Sequence, residues 1–245
     1  MNIGSTLAVL LLCAPTAAAS QNFAIPPVRY PTVRASAKDA ATFVPSGWVI
    51  ASRDTGDLNR DGRADFALLI RMNDPANVRT VKDDGRSHRV DTNPYMLLVL
   101  LAEPRGGFRL AASNHRLFSR PASPFSPNEP VNDDTVRLDR GAVLVTLGYL
   151  RSWASYRFRW QRGDFRLIGY ESGGVMAGCV GTYSINYLTR RVRKTAGPIS
   201  SDRTSTAHRN VVGGQPPTLG VIDPDEFDAE STVGGEPLPC PAEVE

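Results

Sequence analysis

A nine-residue segment constrains this chain more than any other feature of its sequence. Its order is Asp57-Leu58-Asn59-Arg60-Asp61-Gly62-Arg63-Ala64-Asp65, with oxygen-bearing side chains at the first, third, fifth and ninth positions and glycine at the sixth. Such side chains can converge on a hard cation, and the glycine permits the sharp turn that brings the next backbone carbonyl toward the same point. The spacing therefore predicts a loop that binds Ca²⁺ through Asp57, Asn59, Asp61, the carbonyl of Arg63, and Asp65.

This loop is not an EF-hand of the helix–loop–helix kind. The twelfth position, where that motif needs a bidentate glutamate, is Leu68, and it lies inside an apolar run. The alternative interpretation is a turn rich in Asp and Asn that joins two strands and binds no ion tightly. Arg60 and Arg63 offset part of the negative charge and would weaken the affinity for a cation.

The two ends of the chain differ from its middle. Residues 1–19 hold an apolar run followed by three alanines, too short to span a bilayer, which predicts a cleaved signal peptide. Residues 20–45 are rich in proline, alanine and serine and predict an extended lead-in with a short helical turn at most. Residues 196–245 are rich in proline, glycine and acid and predict a tail, in which only 218–227 is expected to dock, as an edge strand.

Residues 46–195 predict one antiparallel, all-β domain that contains the calcium loop. Short apolar or alternating runs recur along them, separated by glycine-containing turns such as Asp139-Arg140-Gly141 and Gln161-Arg162-Gly163-Asp164. Two of the runs, Phe66–Arg71 and Tyr95–Ala102, are apolar enough to be strands buried on both faces. A sandwich, an open barrel and a propeller-like fragment are all compatible with this pattern.

Charge and cysteine content limit the compartment and the partners. The formal net charge of +3 is too small to argue for nucleic acid, and no apolar run after the leader is long enough for a transmembrane segment. Cys179 and Cys240 remain after cleavage, and two cysteines in an exported chain predict a disulfide. We expect a periplasmic or secreted monomer whose partner is an envelope glycan or an envelope protein.

Residues that could carry catalysis are sparse. His88, His115 and His208 are isolated in the sequence, and we expect all three in loops with no common metal ion. The pairs Asp83-Asp84 and Asp133-Asp134 could flank a sugar, but adjacent acids on loops more often face solvent. We therefore predict no catalytic residues and a non-catalytic binding or envelope-associated module. The alternatives are a secreted hydrolase of cell-wall or polysaccharide substrates, with His115 as general base, and an inhibitor of such a hydrolase.

One predicted strand carries a basic face. In Tyr156-Arg157-Phe158-Arg159-Trp160 the aromatic side chains share one face and the arginines share the other. The arginines could meet an anionic glycan, but a solvated face paired with acids on a neighbouring strand is the favoured interpretation. The tripeptide Arg162-Gly163-Asp164, which also occurs in cell-adhesion proteins, is explained here by the turn that it forms.

The calcium loop resembles a known family. Residues Gly56 to Phe66 resemble the calcium-loop part of FG-GAP repeats, the units of integrin-type β-propellers, but a single loop does not predict a full propeller. The mature chain is more similar to uncharacterised exported bacterial proteins with one FG-GAP/VCBS-like calcium loop, D-x-N-x-D-G-x-x-D. That similarity is also carried by Asp91–Pro94, Phe165–Tyr170 and Tyr183–Thr189. The resemblance implies export and Ca²⁺, and it implies no particular activity.

Overall fold

The computed structural model describes residues 24–83, 85–121 and 131–233, and these residues form mainly antiparallel strands. The strands are β1 (Ser36–Ala37), β2 (Trp48–Gly56), β3 (Asp65–Met72), β4 (Val78–Asp83), β5 (Arg86–Asp91), β6 (Tyr95–Ala102), β7 (Phe108–Asn114), β8 (Val136–Asp139), β9 (Ala142–Tyr149), β10 (Ser152–Gln161), β11 (Asp164–Met176), β12 (Cys179–Asn186), β13 (Arg191–Pro198) and β14 (Ser205–Asn210). Single-turn 3₁₀ helices lie at Ala40–Phe43, Pro75–Asn77 and Glu230–Thr232. The prediction of an all-β, antiparallel domain is confirmed.

The strands are divided between two large sheets. The five-stranded sheet has the order β1-β7-β6-β3-β2, the seven-stranded sheet has the order β14-β13-β12-β11-β10-β9-β8, and β4 pairs only with β5. The seven-stranded sheet is an uninterrupted meander because short turns join its strands. In three of these turns, Arg140-Gly141, Arg162-Gly163 and Ala177-Gly178, both residues have positive φ, which matches the twist of a tight hairpin.

Both sheets contribute side chains to one buried cluster, so they pack face to face as a sandwich. The five-stranded sheet supplies Ala67, Leu69, Leu97, Val99 and Leu101, and the seven-stranded sheet supplies Val143, Val145, Tyr156, Phe158, Phe165 and Leu167. The outer face of β3 and β6 holds a second buried cluster, which the lead-in covers with Tyr30, Val33 and Phe43. Strands β3 and β6 are therefore buried on both faces, as their apolar runs predict.

The seven-stranded sheet continues into the predicted tail. Strand β13 extends beyond residue 195, and β14 adds an edge strand beside it. Segment 218–227 forms turns rather than the predicted edge strand, and it reaches β11 through one bridge, between Thr218 and Arg166. Leu219 of this segment is buried in the sandwich core. Pro224 cannot donate a backbone hydrogen bond, which disfavours a continuous ladder here.

Some predictions concern residues outside the described part of the chain. They are the signal peptide at 1–19, Asp84 and Cys240. Cys179 begins β12, and its pairing with Cys240 stays a prediction. Among the helices in the described ranges, none is long and apolar enough to cross a membrane.

Candidate functional site

The segment Asp57–Asp65 is the loop that connects β2 to β3. Gly56 and Asp65 are paired at the ends of these strands, so the loop closes a hairpin. The chain reverses through Arg60, with φ of 65°, and Gly62, with φ of 80°. Leu58 is only 2% exposed and packs into the sandwich core. One apolar side chain thus anchors an otherwise polar loop to the body of the protein.

The first three predicted ligands point toward the backbone of their own loop. The two carboxylate oxygens of Asp57 accept hydrogen bonds from the N–H groups of Asp61 at 3.1 Å and Gly62 at 2.9 Å. The amide oxygen of Asn59 accepts from the same N–H of Asp61, at 3.1 Å. The amide nitrogen of Asn59 donates to Oδ2 of Asp61 at 2.8 Å. The loop is therefore organised by its own oxygen-bearing side chains, as the spacing predicts.

Arg63 places a positive charge next to the fifth-position carboxylate. Its Nη2 lies 2.5 Å from Oδ2 of Asp61, and its backbone N–H donates to Oδ1 at 2.9 Å. Desolvation acts to raise the pKa of Asp61, but the hydrogen bonds from Arg63 and Asn59 and the guanidinium charge outweigh it. The pKa of Asp61 consequently lies below its usual value. Asp61 is thus ionised and holds a cationic partner at neutral pH.

Asp65 is the buried carboxylate of the loop. It is 0% exposed; its Oδ2 accepts from the N–H of Leu58 at 2.7 Å, and its Oδ1 accepts from the N–H of Ala102, at the end of β6, at 2.8 Å. Burial raises its pKa, and the charges of Asp61 and Asp57 raise it further, against the lowering effect of the two N–H donors. The neighbouring carboxylates therefore disfavour the ionised form of Asp65, and a cation bound there would oppose that effect.

The same hairpin contacts the seven-stranded sheet. Oδ2 of Asp54, near the end of β2, accepts from the N–H of Leu138 in β8 at 2.7 Å. A Cβ atom at Gly141 would lie 3.5 Å from the carbonyl oxygen of Asp57, so the β8–β9 turn is in contact with the start of the loop. The loop thus lies where the two sheets meet. Sequence reasoning missed Asp54, because its partner is 84 residues away along the chain.

The donor set of the loop suits Ca²⁺. All five predicted ligand groups offer oxygen, the atom type that this ion prefers. Across the described ranges no three His, Cys, Asp or Glu side chains are grouped so that they could hold a metal ion. The carboxylates of the loop are instead engaged by backbone N–H groups and by Arg63. Binding of an ion would require Asp61 to exchange the guanidinium of Arg63 for the cation.

The three histidines lie on separate parts of the fold. His88 lies in β5 and His208 lies in β14, so the prediction that they occupy loops was wrong. Both strands are polar and largely exposed, and such strands lack the apolar pattern that identifies a strand in a sequence. His115 follows β7 and stacks on Tyr30, with ring centroids 4.0 Å apart. Burial lowers the pKa of His115, which favours its neutral form.

Two cavities lie along the seven-stranded sheet. One has a volume of about 810 Å³ and the other about 550 Å³. The larger is lined by aromatic, hydroxyl and charged side chains that include Tyr156, Tyr170, Tyr183, Lys194 and Glu230. His115 lines neither cavity.

The remaining acids and the basic strand have structural partners. Asp134 is exposed and accepts from Nη1 of Arg137 at 2.6 Å, which is typical of a solvent-facing ion pair. Arg157 donates to Oδ2 of Asp139 in β8 at 2.8 Å, and this bond, with the charge of Arg157, holds the pKa of Asp139 below its usual value. Arg157 is therefore paired with an acid, as the favoured interpretation expects, but that acid lies on β8 and not on a strand next to β10.

Comparison of the chain with models of protein families, with curated proteins and with solved structures gives no match. The similarity to exported proteins with a single calcium loop therefore stays a prediction, carried by the residues of the loop and of the three segments quoted with it.

Proposed function

We propose that this protein is an exported, Ca²⁺-stabilised β-sandwich that acts as a non-catalytic binding or envelope-associated module. One observation supports the proposal: the loop is ordered by its own Asp and Asn oxygens, and it ends in the buried carboxylate of Asp65. A folded protein gains stability from a ligand that neutralises such a group and that binds the unfolded chain weakly.

The ion would connect parts of the fold that are already in contact. Asp57, Asn59 and Asp61 would hold it from the loop, with the carbonyl of Arg63, and Asp65 would hold it from the start of β3. Because Asp65 also accepts from Ala102 at the end of β6, the ion would brace the β2–β3 hairpin against the next strand of the sheet. We therefore assign Ca²⁺ a structural role.

Thermal unfolding in the presence of Ca²⁺ and of a chelator tests this role. At a Ca²⁺ concentration about 100 times the dissociation constant, the ion would add about 2.7 kcal/mol to the free energy of unfolding. We expect a clear rise in melting temperature for the wild type and none for Asp61→Ala. Asp133→Ala, which removes an exposed acid outside the loop, is the matched control and keeps the full response. An equal response in Asp61→Ala, or no response in the wild type, would contradict the proposal.

The proposal includes export and a disulfide between Cys179 and Cys240. A bond that closes a loop of about sixty residues stabilises a fold by roughly 3–4 kcal/mol in the chain-entropy model. Mass spectrometry of the secreted protein, before and after reduction and alkylation, tests both points. An intact bond gives a peptide that contains both cysteines, and cleavage after Ala19 leaves Ser20 as the first residue. Free thiols or an uncleaved leader would overturn the respective part.

A further inference from the structure

One face of strand β12 connects Cys179 with the place where the described part of the chain ends. Residues at alternate positions of a strand share one face. On β12 that face holds Cys179, Gly181, Tyr183 and Ile185. Tyr183 and Ile185 are buried in one cluster with Val233, which is the last described residue. The chain therefore leaves the described region on the same face of the sheet to which Cys179 belongs.

The cavity of about 810 Å³ opens on this face, and Tyr183 and Cys179 both line it. Small residues form part of its floor. Gly174 of β11, Gly181 of β12 and Ala196 of β13 are paired in one row across the three strands, and all three line the cavity. Glycines in neighbouring strands leave room for another segment to approach the backbone closely. The floor therefore has a gap of the kind that an apolar side chain can fill.

Two polar groups of the cavity lack a polar partner within the described ranges. Tyr183 is only 7% exposed, and its hydroxyl is buried without a hydrogen bond to any of the residues described. The ammonium of Lys194 lies 4.9 Å from the ring centroid of Tyr183 and forms no ion pair within the same ranges. Buried polar groups are nearly always hydrogen-bonded in native proteins, so a further polar group is expected at this point.

The length of the remaining chain limits its route to Cys179. Val233 bridges Val211, whose N–H donates to a carbonyl of the β12–β13 turn, so Val233 lies near the end of β12 that is opposite Cys179. The eight residues of β12 span about 23 Å, and residues 234–240 reach at most about 25 Å when fully extended. The proposed disulfide between Cys179 and Cys240 can therefore close only if this segment is nearly straight and follows the face of β12.

The sequence of the segment favours a straight conformation. From Glu236 to Cys240 every residue is a proline or precedes one. Proline holds its own φ at about −65° and disfavours the helical region for the residue before it, so this stretch is biased toward extended backbone. A segment that is already extended loses little conformational entropy when it docks.

We propose that residues 234–240 lie extended in this cavity, so that the protein's own C-terminal segment covers the face of β12. The segment and the strand have similar rises per residue, so positions two apart on one match positions two apart on the other. With Cys240 opposite Cys179, Leu238 falls over Gly181. Its side chain fills the gap in the floor of the cavity.

The same register brings Glu236 to the level of Tyr183. One oxygen of its carboxylate accepts from the hydroxyl of Tyr183, and the other pairs with the ammonium of Lys194, so both groups gain the partner that the described residues do not supply. The docking rests on the proposed disulfide for its register. The cavity is then filled by the chain's own terminus, and a ligand of the binding module has to displace that terminus or bind elsewhere.

Cross-linking of the full protein with a carbodiimide tests the docking. The reagent joins a carboxylate to an amine without a spacer, so it reports only pairs in contact, and mass spectrometry after proteolysis identifies them. We expect a cross-link between Lys194 and Glu236 in the wild type. Leu238→Asp lowers its yield about tenfold or more, because it removes the burial of one leucine side chain. Val244→Asp, which adds the same charge beyond Cys240, is the matched control and leaves the yield unchanged.

Three outcomes would overturn the docking. They are no cross-link to Glu236 in the wild type, a cross-link of Lys194 to Glu230 alone, and an equal loss of yield in Val244→Asp and Leu238→Asp. The cysteines are assayed in the same digest, so the docking and the disulfide fail separately. A cross-link to Glu236 with free thiols supports the docking and overturns the disulfide, whereas a disulfide without that cross-link overturns the docking alone. Circular dichroism spectra that match the wild type exclude misfolding of the variants.

Discussion

Removal of the Asp65 carboxylate tests how the loop is attached to the sheets. In Asp65→Ala the N–H of Leu58 loses its acceptor in a buried position, and the N–H of Ala102 loses its acceptor in a partly buried one. An unsatisfied buried donor costs about 1–3 kcal/mol, so two cost about 2–6 kcal/mol. The substitution also removes a carboxylate whose ionised form is destabilised by burial and by the neighbouring charges. This removal offsets part of the loss in the free energy of unfolding. We expect a net loss of about 2–4 kcal/mol in the free energy of unfolding, after partial satisfaction of the donors by water.

Urea unfolding followed by tryptophan fluorescence measures this loss. The buffer is at neutral pH and contains a chelator, so that binding of an ion does not contribute. Asp65→Asn keeps one acceptor oxygen and should lose less than Asp65→Ala, because only one of the two N–H groups loses its partner. A loss below about 0.5 kcal/mol in Asp65→Ala, the range of ordinary surface substitutions, would refute the assignment of Asp65 as the attachment point.

Three further predictions concern single groups. Arg63→Ala removes the guanidinium that pairs with the fifth-position carboxylate, so the rise in melting temperature on adding Ca²⁺ should be larger than in the wild type. Gly62→Ala places a Cβ atom at φ of 80°, which should cost about 1–2 kcal/mol in urea unfolding. Burial opposes the lowering of the Asp91 pKa, but hydrogen bonds from Asn93 and the charge of Arg71 hold it below its unfolded value. The stability that Asp91 contributes is therefore present above about pH 4 and is lost as the pH falls through the folded pKa. In acid unfolding, the Asp91→Asn variant should therefore lose less stability between neutral and low pH than the wild type does.

Local signals in the sequence predict the class of the fold and several of its parts. The runs Phe66–Arg71 and Tyr95–Ala102 are strands buried on both faces, since an apolar residue at every position needs cover on both sides. The turns at Arg140-Gly141 and Arg162-Gly163 occur where glycine favours positive φ. The hydrogen bonds within Asp57–Asp65 are likewise local, which is why the spacing of the side chains predicts them.

Contacts between distant segments could not be predicted. Strand β8 lies beside the end of β2 because Asp54 bonds to Leu138, and no local pattern encodes that pairing. The β4–β5 hairpin, with His88, and strand β14, with His208, are polar and depend on pairing with neighbours for their conformation. Segment 218–227 has apolar residues that suit a strand, but a chain in turns buries Leu219 in the core equally well.

The loop is short, but its hairpin is attached to both sheets of the sandwich. Asp65 fixes it to β6 of the five-stranded sheet, and Asp54 fixes the same hairpin to β8 of the seven-stranded sheet. Loss of either attachment should therefore loosen the hairpin from one of the two sheets.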